Sequence, residues 1–181
     1  MRSRGTVSTY GRPLCISLKE MVHSWSGFPL ADPNSNWIDT NSRIATVINE
    51  EGVRFAVLQL TTGRCEILSS HEEIAIVEIV ESPDDYTLED GLLSFEGVEV
   101  HPNVLKLSGF GGSVVLFDSA RLGEELRLQG GQHEADHEPC TSETSLEVTV
   151  IQGFWSVSLF EIEQPDLLLK GAWLQREGQR S

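Results

Sequence analysis

Between Arg43 and Val80 the apolar positions fall into four short runs, IATVIN, VRFAVLQL, RCEILSS and IAIVEIV, parted by EEG, TTG and HEE. Short runs rich in β-branched residues with turn chemistry between them predict an antiparallel meander. Centring the first turn on Glu50 and Glu51 sets Ile48 against Val53, Thr46 against Phe55 and Ile44 against Val57, a register that keeps these pairs on one face. Thr61-Thr62-Gly63 suits a three-residue hairpin with Gly63 in the left-handed position. Ile74–Val80 is apolar on both faces except at Glu78, which predicts a central strand covered on each side. Glu78 then belongs either at a sheet edge, the favoured reading, or in the interior as a carboxyl of raised pKa.

The same pattern reading runs through the rest of the chain. Ser17-Leu-Lys-Glu20 fits a capping box, and Leu18, Met21, Val22 and Trp25 then share one helical face. A short amphipathic helix from Leu18 to Trp25 is expected to cover part of the sheet. Gly27–Ser42 carries Pro29 and Pro33 and no periodicity, so it is a long loop. Its aromatics, Phe28 and Trp37, either anchor it in the core or stand out as contact residues. Beyond an acidic turn at 81–89, short strands are expected at Leu92–Phe95, Val98–Val100, Val104–Leu107 and Val114–Phe117. Gly109-Phe-Gly-Gly112 lies between strands and lacks the helix start that a phosphate cradle needs, so it is a hairpin or a bulge.

Ala120–Gln129 ends in the alternating ELRLQ and is expected as a strand, whereas Gly130–Thr144 is expected as an exposed polar loop. Around Gln152-Gly153 the alternation predicts another hairpin, with Val150 meeting Trp155, Val148 meeting Val157 and Leu146 meeting Leu159. Leu167–Gln175 adds a last strand. The resulting expectation is an all-β or β-dominant α+β fold. About ten short antiparallel strands form a sandwich or barrel, with one short N-terminal helix. Residues 1–13 form a flexible basic arm, 14–176 a single β-rich domain and 177–181 a frayed tail.

Composition narrows the class of function more than it names one. With 181 residues, 39% hydrophobic and 23% charged, the chain has enough apolar surface for a core without disulfide staples. No run approaches the length of a membrane span, and the basic start has no apolar stretch behind it to make a secretory signal. Cys15, Cys65 and Cys140 are an odd, widely spaced set, which points to a reducing, cytoplasmic setting.

Charge is the strongest signal, a net −15 laid down unevenly. Eleven acidic residues and no Lys or Arg lie between Arg64 and Lys106, and eight more lie between Arg127 and Lys170. Direct nucleic-acid binding is disfavoured, because a phosphate-binding surface needs clustered cations. An acidic surface instead suits a basic protein partner, and Glu72, Glu73, Glu81, Asp84, Asp85, Glu89, Asp90, Glu96 and Glu99 are its candidate residues.

Catalytic and metal signals are thin. His133-x3-His137 with Cys140 is the one local metal-like arrangement, but Pro139 and the preceding glycines work against the helical turn that would align the imidazoles. No nucleophile elbow occurs, Cys65 lies in an apolar run, and adjacent carboxylates in turns are ordinarily solvated. No cofactor is implied. The expectation is an acidic protein that acts by binding, of inhibitor or immunity type. The alternatives are a ligand-binding β-barrel or sandwich for a small apolar molecule, with Trp25, Trp37, Trp155 and Trp173 as lining, and a non-catalytic subunit of a larger assembly. Oligomeric state is left open.

Overall fold

The computed structural model describes residues 1–9, 12–25, 44–48, 54–83, 86, 88, 99–100, 105–120 and 144–178. Its strands are β1 (Arg2–Ser8), β2 (Leu14–Leu18), β3 (Ile44–Ile48), β4 (Arg54–Leu58), β5 (Arg64–Ser69), β6 (Glu73–Glu81), β7 (Glu99–Val100), β8 (Leu105–Asp118), β9 (Ser145–Gln164) and β10 (Leu167–Arg176). They form one antiparallel sheet in the order β1-β5-β6-β10-β9-β8-β2-β4-β3, with β7 pairing to β9 off this path. The strand-dominated, antiparallel expectation holds. No helix among the described residues is long and apolar enough to cross a membrane.

Chain geometry forces the sheet to curl. Leu58 at the end of β4 and Arg64 at the start of β5 are six strand spacings apart in the sheet order. Flat, that separation is about 29 Å. The six peptide steps joining these residues span at most about 21 Å. The link from Ser8 in β1 to Leu14 in β2 faces the same shortfall. The sheet therefore bends into a half-barrel, and its two crossing connections touch: the Thr9 amide donates to the Gly63 carbonyl at 2.6 Å.

Curling splits the apolar residues into an inner core and two outer clusters. Inside lie Ile16, Leu58, Ile67, Ile76, Leu116, Trp155, Val157 and Leu174 among others. On the outer face Leu68, Ala75, Val77, Phe160 and Leu169 pack with Leu88. Elsewhere on that face Cys15, Phe55, Val57 and Phe117 pack under Val22 and Trp25. Ile74–Val77 alternates between the inner core and an outer cluster, as a strand covered on both sides must.

Several local expectations are corrected. In place of the amphipathic helix stands a six-residue 3₁₀ helix, Lys19–Ser24, whose N-cap is Leu18 with no side-chain cap bond. Ser17 bonds instead to the Leu18 carbonyl, because its own residue is spent as strand β2. The expected basic arm is β1, paired along β5 from Arg2↔Ser69 to Ser8↔Arg64. Glu177, expected in the tail, donates its amide to the Phe154 carbonyl. Between β3 and β4 the register is Ile44↔Leu58 through Ile48↔Arg54, one residue from the expected pairing. That shift is tolerated since both faces of β4 are buried, Ala56 and Leu58 inside, Phe55 and Val57 outside.

Thr61-Thr62-Gly63 does turn the chain, with Gly63 at φ 72°, but the strands it joins are not partners. Glu78 is not at an edge. It is fully buried in β6, between β5 and β10, and accepts from the Thr62 amide and, at 3.0 Å, the Thr62 hydroxyl. A carboxylate inside the curl thus pins the crossing turn in the absence of a hairpin ladder.

The hairpin expected at Gln152-Gly153 is absent: β9 runs unbroken for 20 residues. Apolar alternation changes phase between Val150 and Trp155 because both strands bulge there. The β8–β9 register shifts on either side of Phe110, which pairs with Gly153. Gly109-Phe-Gly-Gly112 supplies the matching bulge, all three glycines having positive φ. A Cβ on Gly111 would lie 2.5 Å from the Gln152 Cα, so the two backbones meet where no side chain fits.

Candidate functional site

One end of the half-barrel collects acidic side chains from both cation-poor tracts. Trp155, Val157 and Leu159 of β9 face the inner core, so alternation carries Glu161 and Glu163 onto the same side beyond it. Ala172 and Leu174 do the same for Lys170 and Leu168 of β10. In register the rows read Glu78–Lys170–Glu161 and then Glu81–Leu168–Glu163 across β6, β10 and β9. A shift between Leu168 and Leu169 puts Glu81 opposite Leu168, on the inner side. Glu99 in β7 stands opposite Glu161.

The inner wall therefore changes from apolar to acidic as it leaves the core. Glu81, Glu161, Glu163 and Asp166 are exposed, and Asp166 holds φ 66° in the tight turn from β9 to β10. Lys170 is the cation within this wall among the described residues, paired with Glu161 at 3.3 Å. Arg64 opens β5 at the same end, on the outer face.

The expected acidic residues do not all gather here. Glu73 begins β6 at its other end, with Glu72 just before it, about 27 Å of extended strand from Glu81. Glu72 is ion-paired with Arg176 at 3.0 Å, and Glu73 accepts from the Gln175 amide at 3.2 Å. Asp84, Asp85, Glu89, Asp90 and Glu96 lie outside the described residues, as do Phe28, Trp37, His133, His137, Cys140, the run 92–95 and all but the end residues of 120–144. Glu161, Glu163 and Asp166 were not singled out from the sequence. The available signal was Gln164-Pro-Asp166, a turn with an acid in it that follows the acids Glu161 and Glu163 on the preceding arm.

Inner-facing side chains of the described strands pack together as one apolar cluster. A pocket beside Ile16, Ala56, Lys106, Leu107 and Phe110 holds about 90 Å³. Small-molecule sites usually enclose about 300–1,000 Å³. No group of three or more His, Cys, Asp or Glu among the described residues is placed to hold a metal ion.

Cys65 sits on this inner wall, 2% exposed, its thiol directed at the Val7 carbonyl at 3.7 Å. Burial, and after it the charge of Glu78, push the thiol up to about 12. An unfolded chain ionises the same thiol near about 8.5. Below that pH both states keep the proton and the full contribution to stability is present. Above it the unfolded state alone loses the proton, so stability falls as pH climbs toward 12. Iodoacetamide at pH 9 is expected to label Cys65 at the rate of global unfolding; labelling as fast as a free thiol would contradict its burial.

Comparison of the chain with models of protein families, with curated proteins and with solved structures gives no match.

Proposed function

We propose that this protein acts by binding a basic protein partner through the acidic open end of its half-barrel. The supporting observation is convergence: Glu81 from the first cation-poor tract meets Glu161, Glu163 and Asp166 from the second, around Lys170. Carboxylates on a concave wall focus negative potential and speed encounter with a cationic surface. The reading is that of an inhibitor or immunity-type protein occupying a site meant for nucleic acid. Glu72 and Glu73 are left out of it, being remote and already partnered. The two described cysteines are buried and free, which suits a reducing cytoplasm. An apolar ligand is the alternative with less support among the described residues, where the pocket beside Phe110 holds about 90 Å³.

Capture from lysate at low and physiological salt, followed by titration of the retained protein, tests the idea. Affinity should fall at least tenfold as the screening length contracts from about 30 to about 8 Å. Reversing Glu161 and Glu163 to Lys should abolish binding while leaving the melting temperature intact. Binding that ignores salt, or survives the reversal, removes the proposal.

A further inference from the structure

Among the described residues, the outer face of the sheet is covered in two places, over β5-β6-β10 and over β2-β4-β8. Between them lies a strip on β8, β9 and β10 carrying Lys106, Ser108, Phe154, Ser156, Gln175 and, just past β10, Glu177. Register places Ser108 opposite Phe154, and Lys106 opposite Ser156, which in turn faces Gln175. Phe154 is 67% exposed, the most of any large apolar side chain among the described residues, with Ile151 beyond the bulge at 42%. A half-buried sheet face ordinarily puts small or polar groups at such positions, and the serines obey that rule. Phe154 does not.

Two properties of the strip select its occupant. First, it is self-complementary. The ring stands up beside the short side chain of Ser108 on β8, so one molecule offers both a knob and a shallow seat next to it. Such a patch suits an isologous, twofold contact. Second, its charges are balanced within it: Lys106 pairs with Glu177 at 2.9 Å. At its margin Gln175 donates to Glu73. Two copies of a chain with net charge −15 repel each other through most approaches. A neutral strip is where they meet at least cost, with the acidic ends, about 30 Å along β9 from Phe154, kept apart.

We propose that this strip is a homodimer interface centred on Phe154, its occupant a second copy of the chain. The proposal does not depend on the basic-partner reading, but the two combine simply: a dimer presents two acidic ends. Six side chains cover less than the roughly 800 Å² per partner of a standard interface. The dimer is therefore weak and reversible, and a single aromatic carries most of its energy.

Sedimentation equilibrium of the full chain over a concentration series at low and high salt is the test. Association should tighten as salt rises, because screening removes the repulsion between two acidic bodies. That sign is opposite to the one expected for the basic partner, so failure of either reading is distinguishable from failure of the other. Phe154→Glu should weaken dimerisation at least tenfold without lowering the melting temperature, its side chain being exposed. Ser108→Trp, which fills the seat and leaves the knob, should do the same. A chain that stays monomeric up to its solubility limit at high salt overturns the proposal. So does a dimer that either substitution leaves unchanged.

Discussion

Trp155→Ala is expected to destabilise the fold by about 3–5 kcal/mol, the range for removing a large aromatic from a packed core. The indole is fully buried on the inner wall and meets the Phe110 ring edge-on, centroids 5.7 Å apart. Its N–H donates to the Ile151 carbonyl at 3.2 Å, across the β9 bulge. These contacts fill the bend where β8 and β9 both shift register, a place with no regular ladder to fall back on. In a domain of this size each kcal/mol moves the midpoint by about 2–4 °C, so thermal unfolding should shift down by about 6–20 °C. Trp155→Phe keeps the packing and loses the hydrogen bond, and should fall between wild type and alanine. A loss under about 1 kcal/mol would mean that the indole is not packed against Phe110 as described.

Gly171→Ala should cost about 3 kcal/mol although it adds a single methyl group, the upper part of the range for overpacking. Gly171 lies in β10 between Val77 of β6 and Phe160 of β9. A Cβ there would run into the Ile76 carbonyl oxygen and lie 2.7 Å from the Phe160 ring. Phe160 is buried in the outer cluster and cannot swing away freely, while the carbonyl is backbone in a central strand. Something in the β6–β10 ladder must therefore give. Urea unfolding of the variant reads the effect directly, and a neutral result would show that the ring does not lie over this glycine. Pairing Gly171→Ala with Phe160→Leu should recover part of the loss, since it removes one of the two obstacles.

Both substitutions fall on positions that the sequence marked unequally. Trp155 was legible as a core residue, since it sits in phase with Val157 and Leu159. Gly171 gave no such sign: a lone glycine in a strand does not announce which ring will cover it. The acidic end shows the same division. Two cation-poor tracts are plain in the chain, but Glu72 and Glu81 look equivalent there and stand at opposite ends of β6. Glu161 and Glu163 carried no mark in the chain beyond their place in the second tract; sheet order alone brings them beside Glu81.

By itself the sequence settled what depends on neighbours along the chain. Alternation set the strand-rich class, the apolar run at Ile74–Val77 set a strand buried on both faces, and Gly63 set a left-handed turn. Tertiary structure decided everything that depends on which strands meet. A reversal of apolar phase is the same signal for a turn and for a bulge, and the pairing of β9 with β8 made the one at Gln152-Gly153 a bulge. A turn signal likewise says that the chain changes direction, not that its flanks pair; the link from Leu58 to Arg64 that holds Thr62-Gly63 crosses the open side of the half-barrel. Glu78 is buried for that reason: the crossing supplies the amide and hydroxyl that make a carboxylate tolerable in an apolar interior, and neither donor lies within a dozen residues of it.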